Sequence, residues 1–167
     1  MAEAGQLRLQ RAEVDLGNLI DTVIERMQLQ ALENDVEIAT EISPDLPRVE
    51  VDAGRISQAL GNLLSNALRH TPAGGPVTVR AFRQTESDGQ PVAVVEVADT
   101  GSGIAAEDLA HVFDRFYRAD KSRSKHSGGA GIGLAIVKQL IEAHDGHVWV
   151  ESQAGQGAKF TFIIPAS

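Results

Sequence analysis

Two asparagines and two basic residues line one side of a segment with the spacing of an amphipathic helix. On a wheel of about 100° per residue, Asn62 and Asn66 lie beside Arg69 and His70. The adjoining sector is apolar and contains Ile56, Leu60, Leu63, Leu64 and Ala67. Because asparagine is a poor helix former, packing or chemistry must retain this stripe. Amide oxygens suit Mg²⁺ that shares phosphate oxygens, and the two basic side chains could meet those phosphates. Alternatively, both amides bond to nearby backbone.

A carboxylate and alternating glycines follow an apolar strand pattern. The hexapeptide DTGSGI, residues 99–104, comes directly after the run from Val92 to Val97. Glycines at alternate positions permit close approach of the backbone to a flat ligand. Asp99 could then accept a hydrogen bond from an exocyclic amine such as that of adenine. A strand-ending turn capped by aspartate is the plainer alternative.

A glycine-rich run, GGAGIGL at residues 128–134, opens the last long helical pattern. Such a run forms an anion site, because free N–H groups and the helix dipole favour phosphate. No Lys-Ser or Lys-Thr follows, which excludes the P-loop pattern. The run also lies late in the chain, whereas a dinucleotide fold places its glycines in an early parallel unit.

The segment before these glycines is basic in an otherwise acidic chain. Its cations are Arg115, Arg118, Lys121, Arg123 and Lys125. Net charge is −8 and the pI is near 5.0, so the surface as a whole is unsuited to nucleic acid and we expect no such partner. The basic segment indicates a local anionic ligand, or else a solvated loop.

The chain has no cysteine, which excludes disulfides and thiolate metal sites. No apolar run approaches the roughly 20 residues of a membrane helix, and we expect no membrane contact.

The periodicities predict three substantial helices and about five strands in one domain. The helices are expected over residues 15–33, 52–68 and 132–144, and the strands over 36–42, 77–82, 92–97, 147–151 and 159–164. Strands 77–82 and 92–97 are expected to form an antiparallel hairpin. The pattern favours an α/β (α+β) two-layer sandwich, with a mixed, mostly antiparallel sheet covered on one face by the helices. Residues 1–13 are predicted to be a polar tail before a domain over 14–167.

In their order and spacing, these segments resemble the ATP-binding catalytic domain of bacterial sensor histidine kinases over about residues 14–165. The segment NLLSNALRHT (62–71) is similar to the asparagine box, and DTGSG (99–103) to the first glycine box. FDRFYR (113–118) resembles the phenylalanine box, and GAGIGLAIV (129–137) the second glycine box. The ending GQGAKFTFIIP (155–165) resembles the last strand of the family.

The resemblance implies the Bergerat (GHKL) fold shared with gyrase, heat-shock chaperone and mismatch-repair ATPases, with ATP and Mg²⁺ as ligands. By that likeness Asp99 binds the adenine amino group, and Asn66 coordinates Mg²⁺ with Asn62 beside it. The implied catalytic residues are Asn66, Arg69 and Arg118. Further nucleotide contacts are implied for His70, Gly101, Gly103, Ile104, Tyr117, Lys121, Gly129, Ala130, Gly131, Ile132, Gly133 and Leu134. A lid is implied over about residues 104–130. Ala158 departs from the family, where Thr or Ser is common, and puts one water-mediated bond to Asp99 in doubt.

The implied activity is transfer of the γ-phosphate to a histidine on a separate dimerisation domain, with a response regulator downstream. None of the five histidines of this chain precedes Glu or Asp within a predicted helix, and the pair His144-Asp145 marks a helix end. We therefore expect the chain to lack its own phosphoacceptor and to be the cytoplasmic, catalytic part of a longer, membrane-anchored kinase.

Three alternatives remain at this point. One is a regulatory module that binds nucleotide without transferring phosphate. Another is a slow ATPase of the gyrase or chaperone type, although Asn62 stands where those relatives usually carry a carboxylate base. The third is an anti-sigma-factor serine kinase, but the complete lid motif favours the histidine kinases.

Overall fold

The computed structural model describes residues 8–114, 130–152 and 155–167, with backbone alone at positions 106 and 130–132. The helices in these ranges are α1 (Leu16–Glu33), α2 (Ala53–His70), α3 (Ala106–Leu109) and α4 (Ala130–Ala143). The strands are β1 (Ala12–Val14), β2 (Glu37–Ile42), β3 (Val49–Val51), β4 (Pro76–Thr85), β5 (Pro91–Ala98), β6 (His147–Ser152) and β7 (Ala158–Pro165). Among the helices of the described ranges, none is long and apolar enough to cross a bilayer.

Five strands form the main sheet in the order β2-β4-β5-β7-β6. The pair β2–β4 is parallel, and the three other neighbouring pairs are antiparallel. The predicted hairpin of β4 and β5 is confirmed, with Val79 opposite Val97. The helices pack on one face, so the predicted two-layer sandwich with a mixed, mostly antiparallel sheet is confirmed as well.

The side-chain alternation of the central strands explains why the helices cover one face. Successive side chains of a strand point to opposite faces, and the helix-facing set is apolar and buried: Val77, Val79, Ala81, Val95, Val97, Phe160, Phe162 and Ile164. The apolar stripes of α1, α2 and α4 pack against it in one core, through residues that include Ile20, Val23, Leu60, Leu63, Leu64, Val137 and Ile141. Burial of this set fixes how α2 and α4 lie on the sheet.

Helix boundaries follow their caps. Asp15 and Asp52 each cap a helix through Oδ1, which accepts from the N–H of Asn18 and of Arg55, both at 3.2 Å. Helix α2 continues to residue 70, two residues beyond the predicted end. This extension keeps the asparagine stripe and the two basic residues after it on one continuous helix. Helix α4 ends as predicted near His144.

A small sheet lies beside the main one, where β1 pairs antiparallel with β3. The sequence predicts a polar tail over residues 1–13, whereas residues 12 and 13 belong to this strand. Just before it, the Gln10 N–H donates to Asp52 Oδ2 at 2.9 Å and lowers the pKa of that carboxyl group. The Arg11 guanidinium donates to the Ala143 carbonyl at the end of α4. The chain entering the domain therefore contacts the start of α2 and the end of α4.

A buried histidine joins those same two helix ends. His144 is 2% exposed; its Nδ1 lies 2.8 Å from the Leu140 carbonyl and its Nε2 lies 3.1 Å from the Asp52 nitrogen. A carbonyl accepts and an N–H donates, so the ring carries its proton on Nδ1 and accepts at Nε2. The neutral imidazole thus ties the C-terminus of α4 to the N-terminus of α2.

Candidate functional site

Asp99 follows β5 directly and is 8% exposed. Its Oδ1 accepts two backbone hydrogen bonds, from Gly101 at 2.9 Å and from Ala158 at 3.1 Å. The Asp99 N–H in turn donates to the Ala158 carbonyl at 2.9 Å. Oδ2 has no hydrogen-bond partner among the described residues. One oxygen is therefore committed to the fold, and the other is available to a donor from a ligand.

Two glycines let the backbone close around this carboxylate. A Cβ on Gly101 would overlap the His70 carbonyl oxygen, and a Cβ on Gly157 would overlap the Asp99 carbonyl oxygen. Gly157 also has a φ of 79°, which disfavours other residues. The contact at Gly101 places the C-terminal end of α2 against the loop that begins at Asp99. The predicted asparagine and first glycine boxes are thus brought together.

Asn66 lies on α2, four residues before that contact, and is 7% exposed. Its side-chain amide makes no hydrogen bond within the described ranges, although the great majority of buried polar groups in proteins have a partner. Leaving such a group unsatisfied costs about 1–3 kcal/mol. A buried amide that is retained at this cost is suited to binding a ligand.

The other members of the stripe have partners in the fold. Asn62 Nδ2 donates to the Gly133 carbonyl at 3.2 Å. The amide nitrogen of Asn62 is therefore bonded to backbone, which is the alternative that the sequence left open. His70 Nδ1 lies 2.8 Å from the Asn66 carbonyl. Arg69 donates to Ser65 Oγ at 3.1 Å. Desolvation lowers the pKa of the Arg69 guanidinium, which stays charged at neutral pH because its ordinary pKa is so high.

The bond from Asn62 places the first turn of α4 against the middle of α2. A Cβ on Gly133 would lie 3.8 Å from Asn62 Nδ2, which is ordinary contact. The backbone of Ala130, Gly131, Ile132 and Leu134 belongs to the same helical start. Gly129 and the predicted lid residues Tyr117, Arg118 and Lys121 lie outside the described residues.

The end of the first glycine loop is attached to the β6–β7 connection. Gly103 has a φ of 78°, and the Ile104 N–H donates to Ser152 Oγ at 2.7 Å. Ser152 Oγ also donates to the Gly157 carbonyl at 2.7 Å, and the Gly155 N–H donates to the Ser102 carbonyl. This role of Ser152 is not predictable from the sequence, because a single serine at a strand end carries no signal of its partners.

The segment after α3 is anchored in the core. Val112 is 7% exposed, and Phe113 meets Phe160 edge to face, with ring centroids 5.9 Å apart and planes at 88°. Such aromatic pairs add about 0.5–1.5 kcal/mol beyond the burial of their area. The first phenylalanine of the predicted phenylalanine box thus attaches the chain to the sheet just after α3.

The buried amide of Asn66 offers a hard, neutral oxygen as a donor. Among the residues that the structure describes, no three His, Cys, Asp or Glu side chains converge on one point. Mg²⁺ keeps several waters, uses few protein groups and shares phosphate oxygens. The amide oxygen of Asn66 fits Mg²⁺ that is shared with a phosphate-bearing ligand.

Comparison with known proteins agrees with this geometry. Residues 51–167 match the family described as "Histidine kinase-, DNA gyrase B-, and HSP90-like ATPase". The chain is 37% identical over 155 residues to the sensor histidine kinase WalK of Bacillus subtilis, covering 93% of this chain and 25% of WalK. It spans a quarter to two-fifths of the curated relatives it matches.

Two solved structures are also similar. One is full-length ShkA in complex with AMPPNP, with a TM-score of 0.80 and 37% identity, covering 96% of this chain and 32% of ShkA. The other is the mycobacterial sensor histidine kinase MprB, with a TM-score of 0.77 and 30% identity. The match covers 93% of this chain and 97% of the MprB chain. The chain therefore belongs to the histidine kinase-, DNA gyrase B- and HSP90-like ATPase family, and within it to the catalytic domains of sensor histidine kinases. The predicted family is confirmed.

Alanine should destabilise the protein when it replaces Gly101 of the first glycine box but not when it replaces Gly133 of the second. Gly101→Ala should lower the free energy of unfolding by about 1–3 kcal/mol, because its Cβ displaces the end of α2. Gly133→Ala should leave it unchanged or raise it by up to about 1 kcal/mol, because its Cβ has room and alanine favours a helix. Urea unfolding followed by circular dichroism compares the two variants. Equal stabilities would contradict the packing of Gly101 on α2.

Proposed function

We propose that this chain binds Mg²⁺-ATP and, within a longer kinase, presents its γ-phosphate to a histidine on a separate dimerisation domain. A response regulator would then receive the phosphoryl group from that histidine. The observation that carries the proposal is the buried side chain of Asn66, which has no partner in the described structure and lies on the helix that packs against the Asp99 loop. The domain over 14–167 and the lid over about 104–130 remain part of the same proposal, whereas residues 10–13 are attached to that domain by β1 and by the bonds of Gln10 and Arg11.

Asp99 supports adenine as the base. Its free Oδ2 can accept from the exocyclic amine, while Gly101 and Ala158 hold Oδ1 in place. A base with a carbonyl at that position would place lone pairs against the carboxylate and leave the buried oxygen unpaired. The direct N–H bond from Ala158 means that the carboxylate is oriented without a hydroxyl at position 158. The departure from the family pattern at Ala158 therefore leaves the proposed adenine contact intact.

The phosphate side is assigned to α2 and α4. Asn66, with Asn62 beside it, would hold Mg²⁺, which neutralises phosphate charge during transfer. The free N–H groups at the start of α4 would bind phosphate oxygens, because that helix end carries partial positive charge. Arg69 stays charged and lies one turn from Asn66, so it can leave Ser65 for a terminal phosphate. Arg118 completes the proposed set of catalytic groups.

Two of the histidines that the structure describes are engaged within the fold, which supports a phosphoacceptor on another domain. His144 is buried with both ring nitrogens engaged, and His70 Nδ1 contacts the Asn66 carbonyl at the end of α2. The amide of Asn62 cannot act as a base where an ATPase would place a carboxylate, so hydrolysis by water is expected to be slow. Transfer to a supplied histidine is therefore the better-supported reaction.

A direct test mixes the chain with γ-labelled ATP and the separately purified dimerisation domain of its kinase. Acid-labile phosphate is expected on the added domain and not on this chain. The control is the same added domain with its phosphoacceptor histidine replaced by alanine, which should stay unlabelled. Stoichiometric label on this chain would refute the proposal. ATP binding without label on either protein would favour the regulatory module instead.

If Asn66 binds Mg²⁺, its replacement should change the affinity for ATP differently with and without the metal. Asn66→Ala should weaken Mg²⁺-dependent ATP binding by about tenfold or more, roughly 1.4 kcal/mol, and should change metal-free ATP binding much less. Stability should be retained, because the amide has no bond in the fold to lose. Calorimetry with and without Mg²⁺ measures both affinities, and Asn18→Ala on the exposed side of α1 is the matched control. Equal losses in the two conditions would contradict a metal-binding role for Asn66.

A further inference from the structure

The hydroxyl group of Ser152 joins two segments that surround Asp99. It accepts from the Ile104 N–H and donates to the Gly157 carbonyl, both at 2.7 Å. A serine hydroxyl has one proton to donate, so its donor is fully used on Gly157 while a lone pair serves Ile104. Ser152 is partly buried at the end of β6, on the edge strand of the sheet.

Each segment that Ser152 holds reaches the carboxylate by a different route. Ile104 ends the loop that begins at Asp99, and Gly101 of that loop donates to Oδ1. Gly157 packs on the Asp99 carbonyl, and the next residue, Ala158, also donates to Oδ1. One hydroxyl thus restrains both segments that orient the carboxylate. The bond from the Gly155 N–H to the Ser102 carbonyl adds a second link between backbone groups.

We propose that Ser152 is a positioning residue for the adenine side of the site, an inference that rests on the proposed binding of ATP. It does not touch the nucleotide, and it keeps the glycine loop and the β6–β7 turn in the arrangement that leaves Asp99 Oδ2 open. A ligand that binds only the ordered arrangement loses apparent affinity in proportion to the population that is disordered. Removal of the hydroxyl should therefore be detected as weaker binding, and bound nucleotide should restore the order.

This role differs measurably from a contribution to stability alone. Loss of order at the adenine side should weaken the binding of ATP and of ADP by the same factor, with or without Mg²⁺. The reason is that other groups hold the metal and the terminal phosphate. It raises KM for ATP in transfer to an added dimerisation domain and leaves kcat unchanged at saturation, because the occupied site is intact. A purely structural role would lower the free energy of unfolding and leave the affinity of the folded protein unaltered.

The experiment compares Ser152→Ala and Ser152→Thr with Ser87→Ala, the same chemical change in the exposed turn between β4 and β5. Calorimetry with ADP and with Mg²⁺-ATP should show affinities about three- to tenfold weaker in Ser152→Ala, because loss of both hydrogen bonds of the hydroxyl lowers the population of the ordered arrangement. Ser152→Thr keeps the hydroxyl and should restore most of the affinity. Ser87→Ala should bind like the unaltered protein.

Amide hydrogen exchange supplies a second readout in the nucleotide-free protein. Exchange at Gly101 and Ala158, whose N–H groups donate to Asp99 Oδ1, should accelerate in Ser152→Ala and return toward the unaltered rate when ADP is bound. If the unaltered protein binds ATP and Ser152→Ala binds it equally well, the positioning role is refuted and the proposed function stands. If the unaltered protein binds no adenine nucleotide, both proposals are refuted.

Discussion

The burial of one carboxylate is the constraint on which the site depends. Asp99 is almost entirely removed from solvent at the end of a central strand, and a buried charge must be hydrogen-bonded to be tolerated. Backbone N–H groups of two segments satisfy one of its oxygens, and both segments approach closely because glycine stands at positions 101 and 157. The same close approach places the glycine loop on the end of α2, the helix that carries the asparagine stripe.

The two helices that carry the proposed phosphate side are joined at two points. His144 ties the end of α4 to the start of α2, and Asn62 ties the first turn of α4 to the middle of α2. These contacts match antiparallel helices, since positions 52 and 62 are ten residues apart along α2 and positions 133 and 144 are eleven apart along α4, at about 1.5 Å per residue. The apolar faces of both helices are buried on the sheet, so side chains of their polar edges are presented from a rigid support.

The sequence predicted the elements that have long, regular periodicity, including all three substantial helices, the hairpin and the last strand pair. It did not predict β1 and β3, because three-residue strands offer too few positions for an alternation to be recognised. Asn66 and Asp99 were identifiable because their residue types are unusual for their settings. The bonds of Ser152 and Ala158 to distant backbone groups, and that of Arg69 to Ser65, depend on tertiary structure that no local pattern encodes. The roles of Tyr117, Arg118, Lys121 and Gly129 stay predictions.

The central claim is that the free oxygen of Asp99 accepts a hydrogen bond from the exocyclic amine of adenine. Calorimetric titration with ATP and with inosine triphosphate tests it most directly, because the two ligands share ribose and phosphates and differ at that group. We expect the chain to bind ATP and to bind inosine triphosphate more weakly by about a hundredfold or more. Equal affinities would contradict the assignment of Asp99 and, with it, the orientation of nucleotide proposed for this site.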